Sequence, residues 1–317
     1  MKYNRCGKSG LLMPAISLGL WHNFSSLIDN YDNAKEIVFN AYDNGVVQFD
    51  LANNYGPPAG AAEEMFGRIL KDGFSTYRNK ILITTKAGHT MWEGVYGDWG
   101  SRKHLIASCD ESLERLGVKY VDVFYSHRYD PQTPLEETMR ALDHIVRSGR
   151  ALYIGLSKYP VDKMREALVL LDQMGTPVIV DQQKYSLLVR KPESEHLDFH
   201  SESGLGFVSF SPLAQGQLSE RYLNGIPLSS RAAKETGFLQ EQEVHQNMDK
   251  VLALKEIANC RNQTLSQMAL SWQLRDDRVT SVIIGVSRLE QLTQNLKALD
   301  NLSFTQEELQ KIDAITL

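Results

Sequence analysis

The chain has 317 residues, 42% of them hydrophobic, and a formal net charge of -5 at pH 7. That apolar content suffices for a full core, as one large barrel or as two domains, while an acidic balance without basic runs argues against nucleic acid or an anionic membrane as the main partner. No segment reaches the uninterrupted apolar length of a membrane span.

Lys2, Arg5 and Lys8 precede an apolar run from Gly10 to Trp21 and so imitate a secretory leader. Pro14 interrupts that run, and no small-residue cleavage site follows in His22-Asn23-Phe24. The segment predicts instead a β-hairpin turning at Gly7-Lys8-Ser9-Gly10, then a first core strand, Ile16 to Leu20. Cys6, Cys109 and Cys260 are odd in number and scattered, which points to free thiols in a reducing cytoplasm.

From here helix and strand alternate. Asp32 to Gly45 has helical spacing at Ala34, Ile37, Val38 and Ala41, stops on glycine, and leads into the strand at Val46. Ala61 to Leu70 is a helix before the strand Ile81 to Lys86. Ser101 to Gly117, capped by its serine and stopped by its glycine, precedes Val121 to His127. Pro134 to Gly149 opens on proline and precedes Leu152 to Ser157. Val161 to Gly175 precedes Val178 to Gln182, and helical sequence from Glu193 to Ser203 precedes Gly206 to Ser211. Helices over Asn247 to Cys260 and Thr264 to Leu274 lead to the last strand, Ser281 to Gly285. Eight short apolar strands, each followed by helical sequence, argue for a closed (β/α)₈ TIM barrel with an N-terminal β-hairpin. A doubly wound open sheet is the runner-up, but it would usually show fewer strands and a phosphate loop. No compositional break divides the chain, so residues 1–317 form one domain. Gly216 to Gln246, long, polar and without clear periodicity, reads as an excursion over the barrel mouth.

The stretch Val46-Val47-Gln48-Phe49-Asp50-Leu51-Ala52-Asn53-Asn54-Tyr55-Gly56 is a strand ending in an acid, then a turn delivering a tyrosine. Two later strands end in Lys86 and in His127. If the strands are parallel neighbours, Asp50, Lys86 and His127 share one rim and Tyr55 leans over it. A lysine about 4 Å from a phenol, at an effective dielectric near 20, supplies about 4 kcal/mol, roughly three pKa units. The expectation is therefore a Tyr55 acidified by Lys86, with Asp50 holding the lysine and His127 orienting a carbonyl. The plain alternative is a buried Asp-Lys ion pair beside a packed tyrosine.

Phe49-Asp50, Asn54-Tyr55-Gly56, Thr85-Lys86, Ser126-His127 and Gln182 through Tyr185 resemble the signature blocks of the aldo-keto reductases. The likeness runs from the first hairpin to the last helix. It is nearest to the branch of the potassium-channel beta subunits and the bacterial L-glyceraldehyde 3-phosphate reductases. The latter are closer, through Asn53-Asn54-Tyr55-Gly56-Pro57-Pro58, Gly100-Ser101-Arg102-Lys103, Phe124-Tyr125-Ser126-His127-Arg128 and Ser211-Pro212-Leu213-Ala214-Gln215-Gly216.

The resemblance implies a barrel that binds NADPH without a Rossmann unit, and no strand here is followed by G-x-G-x-x-G. It implies Tyr55 as general acid in a tetrad with Asp50, Lys86 and His127, the cofactor carrying the hydride. It further implies Tyr185 stacked on the nicotinamide, with Ser157 and Gln182 at the carboxamide and Asp50 and Trp21 lining the same pocket. Ser211, Leu213, Gln215 and Gly216 would wrap the pyrophosphate. Ser287 with Glu290 fits a capping box, yet a helix amino terminus carrying arginine also suits a 2′-phosphate, held by Ser287, Arg288, Gln291 and Asn295. Departures from the family pattern are Leu51 for threonine, Lys158 for asparagine, serine or arginine, and Gln294 for glutamate, the last two bearing on cofactor affinity.

Met91, Trp92, Tyr96 and Trp99 in the loop His89 to Ser101 suggest an aromatic wall on the substrate side, which packing on the barrel top explains equally well. Arg102, Lys103, Arg128 and Arg190 are candidates for a substrate phosphate. His196 and His200, one turn apart near Glu193 and Asp198, lack a third metal ligand and read as a charged helix face, so no metal is expected. The expected partner is a small aldehyde such as glyceraldehyde 3-phosphate or methylglyoxal, and the resemblance implies a homo-oligomer, tetramer or larger. Two rivals stay open: a Schiff-base aldolase using Lys86, and an NADPH-binding regulatory subunit with slow turnover.

Overall fold

The computed structural model describes every residue except 28–29, 229, 231 and 234–237. Two strands, β1 (Tyr3–Arg5) and β2 (Leu12–Pro14), pair antiparallel as the expected hairpin. Eight more, β3 (Ile16–Gly19), β4 (Gln48–Asp50), β5 (Leu82–Ala87), β6 (Val121–Ser126), β7 (Ala151–Ser157), β8 (Val178–Lys184), β9 (Gly206–Phe210) and β10 (Ser281–Ile284), close a parallel barrel in which β10 pairs with β3. All eight lie where the apolar runs predict them.

The helices pack outside. They are α1 (Tyr31–Asp43), α2 (Ala61–Ile69), α3 (Arg102–Leu116), α4 (Leu135–Arg147), α5 (Val161–Gln173), α6 (Lys191–Glu195), α7 (Leu197–Ser203), α8 (Glu241–Cys260), α9 (Leu265–Leu274), α10 (Leu289–Leu296) and α11 (Gln306–Thr316). The expected caps of α3 are present: the Ser101 side chain accepts from the His104 amide, and Gly117 adopts the left-handed region, φ 66°.

The barrel has two apolar layers. One lies between strands and helices; the other fills the floor, where Cys6 and Met13 from the hairpin meet Val123, Tyr125, Val180, Val208 and Ile283. The Cys6 thiol donates to the Ile179 carbonyl at 3.3 Å. Hairpin and floor leave the opposite, carboxyl end of the strands as the place for chemistry.

Four expectations are corrected. The helix expected over Glu193 to Ser203 is two short helices broken at His196. His196 and His200 do not lie on a charged face: both are buried, His200 Nε2 lying 2.9 Å from Asp181 Oδ2 and His196 Nε2 3.2 Å from the Tyr159 carbonyl. Asp181 on the neighbouring strand gives the histidine a buried partner that local sequence does not reveal. Helix α8 begins at Glu241, inside the supposed excursion, because Glu241 and Glu243 favour a helix amino terminus and Val244 starts its buried stripe. The remainder of Gly216 to Gln246 takes in the end of one 3₁₀ turn, Ala214–Gly216, and a second, Glu220–Tyr222, with 229, 231 and 234–237 lying outside the described residues. Finally, Ser287 caps nothing. The cap is Arg288, and Gln291 Oε1 accepts from both the Ser287 amide at 2.8 Å and its hydroxyl at 3.1 Å.

Gly155 on β7 leaves room for the Tyr125 ring, since a Cβ there would sit 2.2 Å from it. Gly155→Ala is expected to lower unfolding free energy by about 1–3 kcal/mol through overpacking, seen as a lower urea midpoint with unchanged slope.

Candidate active site

The carboxyl ends of the strands bring the expected groups together. Register places Asp50 beside Gly19 and Thr84, Lys86 beside Tyr125, and Ser157 beside Gln182. Lys86 Nζ donates to Asp50 Oδ2 and to the Leu51 carbonyl, both at 2.6 Å, and lies 3.5 Å from the Tyr55 hydroxyl. Asp50 Oδ1 accepts from Thr84 Oγ1 at 2.8 Å and from Gln182 Nε2 at 3.1 Å. Tyr55 is half-buried and held by its backbone: its amide donates to Ala52 and its carbonyl accepts from Ala62 as α2 begins. The His127 ring follows β6 and meets the Tyr55 ring edge-on at 5.9 Å.

The electrostatics correct one expectation. Burial and the Asp50 charge push the Tyr55 phenol well above its ordinary value. Lys86 does not acidify the resting phenol, because Asp50 lies nearer to it and takes up most of its field. Burial in turn draws the Lys86 ammonium below the usual lysine range, against the pull of Asp50 and Glu63. Burial and the surrounding Lys158, Lys86 and Arg128 charges keep His127 a neutral imidazole. Its Nδ1 has no hydrogen-bond partner among the described residues. The site thus holds a protonated phenol, a fixed cation and a neutral imidazole together at the carboxyl end of the barrel strands.

The outer residues divide. Trp21 lies at the mouth, 6.1 Å from Tyr55 and 5.1 Å from Phe238, centroid to centroid. The Ser157 hydroxyl donates to the Gln182 carbonyl at 2.9 Å. Ser211, Gln215 and Gly216 adopt φ of 55°, 59° and 98° in one loop that also contains Leu213, and Gln215 Oε1 is buried without a partner among the described residues. Tyr185 does not face the mouth. It is 1% exposed, packs on Trp272 and Phe207, and donates its hydroxyl to Glu193 at 2.9 Å. Gln182 points inward to Asp50, so Tyr185, three residues on, falls on the helix side by strand alternation. Phe210, one residue before Ser211 and on the inward parity of β9 with Val208, is the half-buried ring at the mouth. Counting parity from Gln182 would have found it.

His89 is a further site residue that sequence reasoning missed: its ring meets His127 edge-on at 4.5 Å. Of the aromatic wall, Trp92 packs on His104 and Trp99 lies under the Arg128 guanidinium, while Tyr96 is more than half exposed. Arg128 pairs with Asp98 at 2.5 Å, and Arg190 with Glu193 and Asp313, each at 2.6 Å. No metal-ligating cluster occurs among the described residues.

A family model described as the aldo/keto reductase family matches residues 15–316. The chain belongs to that family. The reductase is 50% identical to the L-glyceraldehyde 3-phosphate reductase of Escherichia coli K12, over 99% of this chain and 92% of that one. It is 38% identical to a probable voltage-gated potassium channel subunit beta of Arabidopsis thaliana, over 95% and 92%. Its fold is similar to the crystal structure of a thermostable aldo-keto reductase in complex with the inhibitor epalrestat, at 28% identity and TM-score 0.76, covering 99% and 100% of the two chains.

Two outcomes follow for the reductase. Asp50→Asn leaves the buried Lys86 ammonium without its counter-ion and is expected to cost about 3–5 kcal/mol, measured by denaturant unfolding. His89 is lowered to about 4 by burial and by Lys158 and Arg128. An unfolded imidazole takes its proton near 6.5, so between these values the unfolded chain binds more protons and stability falls as pH falls. His89→Gln should flatten the fall in thermal midpoint between pH 6.5 and 4 relative to the wild type.

Proposed function

We propose that this reductase uses NADPH to reduce small aldehydes, L-glyceraldehyde 3-phosphate first and methylglyoxal as a further substrate, with Tyr55 as the general acid. The observation that carries this reading is the Tyr55 hydroxyl 3.5 Å from an ammonium that cannot leave, beside a neutral imidazole. Bound NADPH would supply the hydride to the carbonyl carbon.

The chain's own residues would do the rest. His127 would donate a hydrogen bond to the carbonyl oxygen and orient it. Tyr55, protonated at rest, would give its proton to the same oxygen as charge develops there, and Lys86 would stabilise the phenolate left behind. Asp50 would keep Lys86 in place. Hydride to carbon and proton to oxygen balance the conversion of aldehyde to alcohol.

The residues suit such a cofactor. Phe210, in place of Tyr185, offers a ring face at the mouth, and Ser157 and Gln182 lie on adjoining strands below it. The left-handed turn at Ser211 to Gly216 and the unpartnered Gln215 oxygen fit a pyrophosphate cradle. Exposed Arg288 at the start of α10, with Ser287, Gln291 and Asn295, fits a 2′-phosphate and supports NADPH over NADH.

A Schiff-base role for Lys86 is disfavoured, since its amine is fully buried and donates two 2.6 Å hydrogen bonds. Tyr55→Phe should lower kcat for NADPH-dependent reduction of small aldehydes by about 10²–10⁴-fold, with fold and NADPH binding retained. A wild-type protein that binds NADPH but shows no steady consumption with any small aldehyde would favour a regulatory subunit instead.

A further inference from the structure

Lys158, the departure from the family pattern that follows β7, stands in an unusual setting. Its backbone has φ 56°, a region that a lysine seldom occupies, with its amide bonded to the Gln182 carbonyl at 3.2 Å. The side chain crosses the barrel mouth: Nζ lies 5.4 Å from the centre of the Phe210 ring and 3.0 Å from His89 Nε2. His89 stacks edge-on against His127, so the ammonium is two ring contacts from the imidazole that faces the carbonyl.

That ammonium meets no carboxylate among the described residues. Among the described residues its one polar partner is a neutral imidazole, which accepts a hydrogen bond but brings no negative charge. Burial first, and then the cationic charges of Lys86, Arg128 and Lys184, bring Lys158 down to about 8. Of the cations around it, Lys86 is held by Asp50, and Lys184, at the end of β8, is exposed to solvent. Arg128 is held by Asp98, the Gly88 carbonyl and the Trp99 ring; Arg190 is held by Glu193 and Asp313, and Lys103 lies over Tyr96. An anion arriving at the mouth therefore finds in Lys158 an ammonium that meets no carboxylate among the described residues, in a cluster whose mutual repulsion that anion would relieve.

The geometry points to Lys158 as the specificity-determining residue that receives an anionic substituent, a phosphate ester, on the aldehyde. This deepens the reductase reading and rests on it. Lys158, with His89 holding its amine, grips the far end of the substrate while His127 and Tyr55 engage the carbonyl. Of the four cations singled out in the sequence for this task, Arg128 and Arg190 are neutralised by carboxylates, and Lys103 is exposed, with its amine over the Tyr96 ring. Arg102, on the exposed first turn of α3, donates to the Arg140 carbonyl.

The test uses Lys158→Met and Lys158→Arg in the full chain. At saturating NADPH, kcat and KM are measured for glyceraldehyde 3-phosphate and for glyceraldehyde. In parallel, glycerol 3-phosphate and glycerol are titrated calorimetrically into enzyme loaded with NADP⁺. Lys158→Met is expected to raise KM for the phosphorylated aldehyde by roughly tenfold or more, leave glyceraldehyde within about twofold, and weaken glycerol 3-phosphate binding to match. Lys158→Arg should retain most of the wild-type discrimination. Equal losses on both aldehydes, or a tenfold loss of NADPH affinity in their place, would overturn the assignment and give the residue to structure or cofactor. If neither aldehyde consumes NADPH the reductase reading falls by itself. The titration still decides Lys158: selective loss of glycerol 3-phosphate binding in Lys158→Met upholds it, and unchanged or absent binding in the wild type overturns it.

Discussion

The 2.6 Å ion pair between Asp50 and Lys86, both fully buried, is the constraint on which the rest of the site depends. Two charges taken out of water are tolerated only when their remaining hydrogen-bonding capacity is filled. Here Thr84, Gln182 and the Leu51 carbonyl fill it, and Gln182 does so from β8 on the far side of the barrel. One carboxylate thereby ties β4, β5 and β8 together at the mouth. The lysine, unable to swing away, holds a fixed positive potential beneath Tyr55.

Around that pair the charges are arranged in one sense. Burial, with Lys158 and Arg128 bearing on both rings and Lys86 on His127, keeps the His89 and His127 imidazoles neutral, so each can donate from one nitrogen while the other accepts. The phenol stays protonated through burial and the nearby carboxylate. Positive potential at the opening suits an electron-rich oxygen, and a substrate with an anionic tail still more.

Much of this was legible in the sequence. The eight barrel strands read as short apolar runs because parallel strands are covered on both faces, and β6 is buried at all six of its positions. Asp50, Lys86 and His127 were legible because each closes such a run. What stayed hidden depended on parity or on distant partners. Tyr185 lies in a conspicuous block, but β8 continues to Lys184 and carries it to the helix side, while Phe210 sits unremarked before Ser211. His196 and His200 became interior only through Asp181 and Tyr159. The acidified phenol failed as an expectation because a pairwise estimate omitted the anion beside the cation. Lys158 looked like a defect in cofactor binding because nothing local shows that the residue after β7 is left-handed, with its amine beside His89 and Phe210.

The hairpin that closes the barrel floor has a consequence for thiol chemistry. Cys6 within it and Cys109 on the buried face of α3 are both pushed up to about 12 by burial, whereas Cys260 is exposed at the end of α8. Alkylating reagents attack thiolate, so the native chain presents one labelling position and keeps two in reserve. Stoichiometry of modification then counts molecules whose base has come undone, using reporters that the chain already carries.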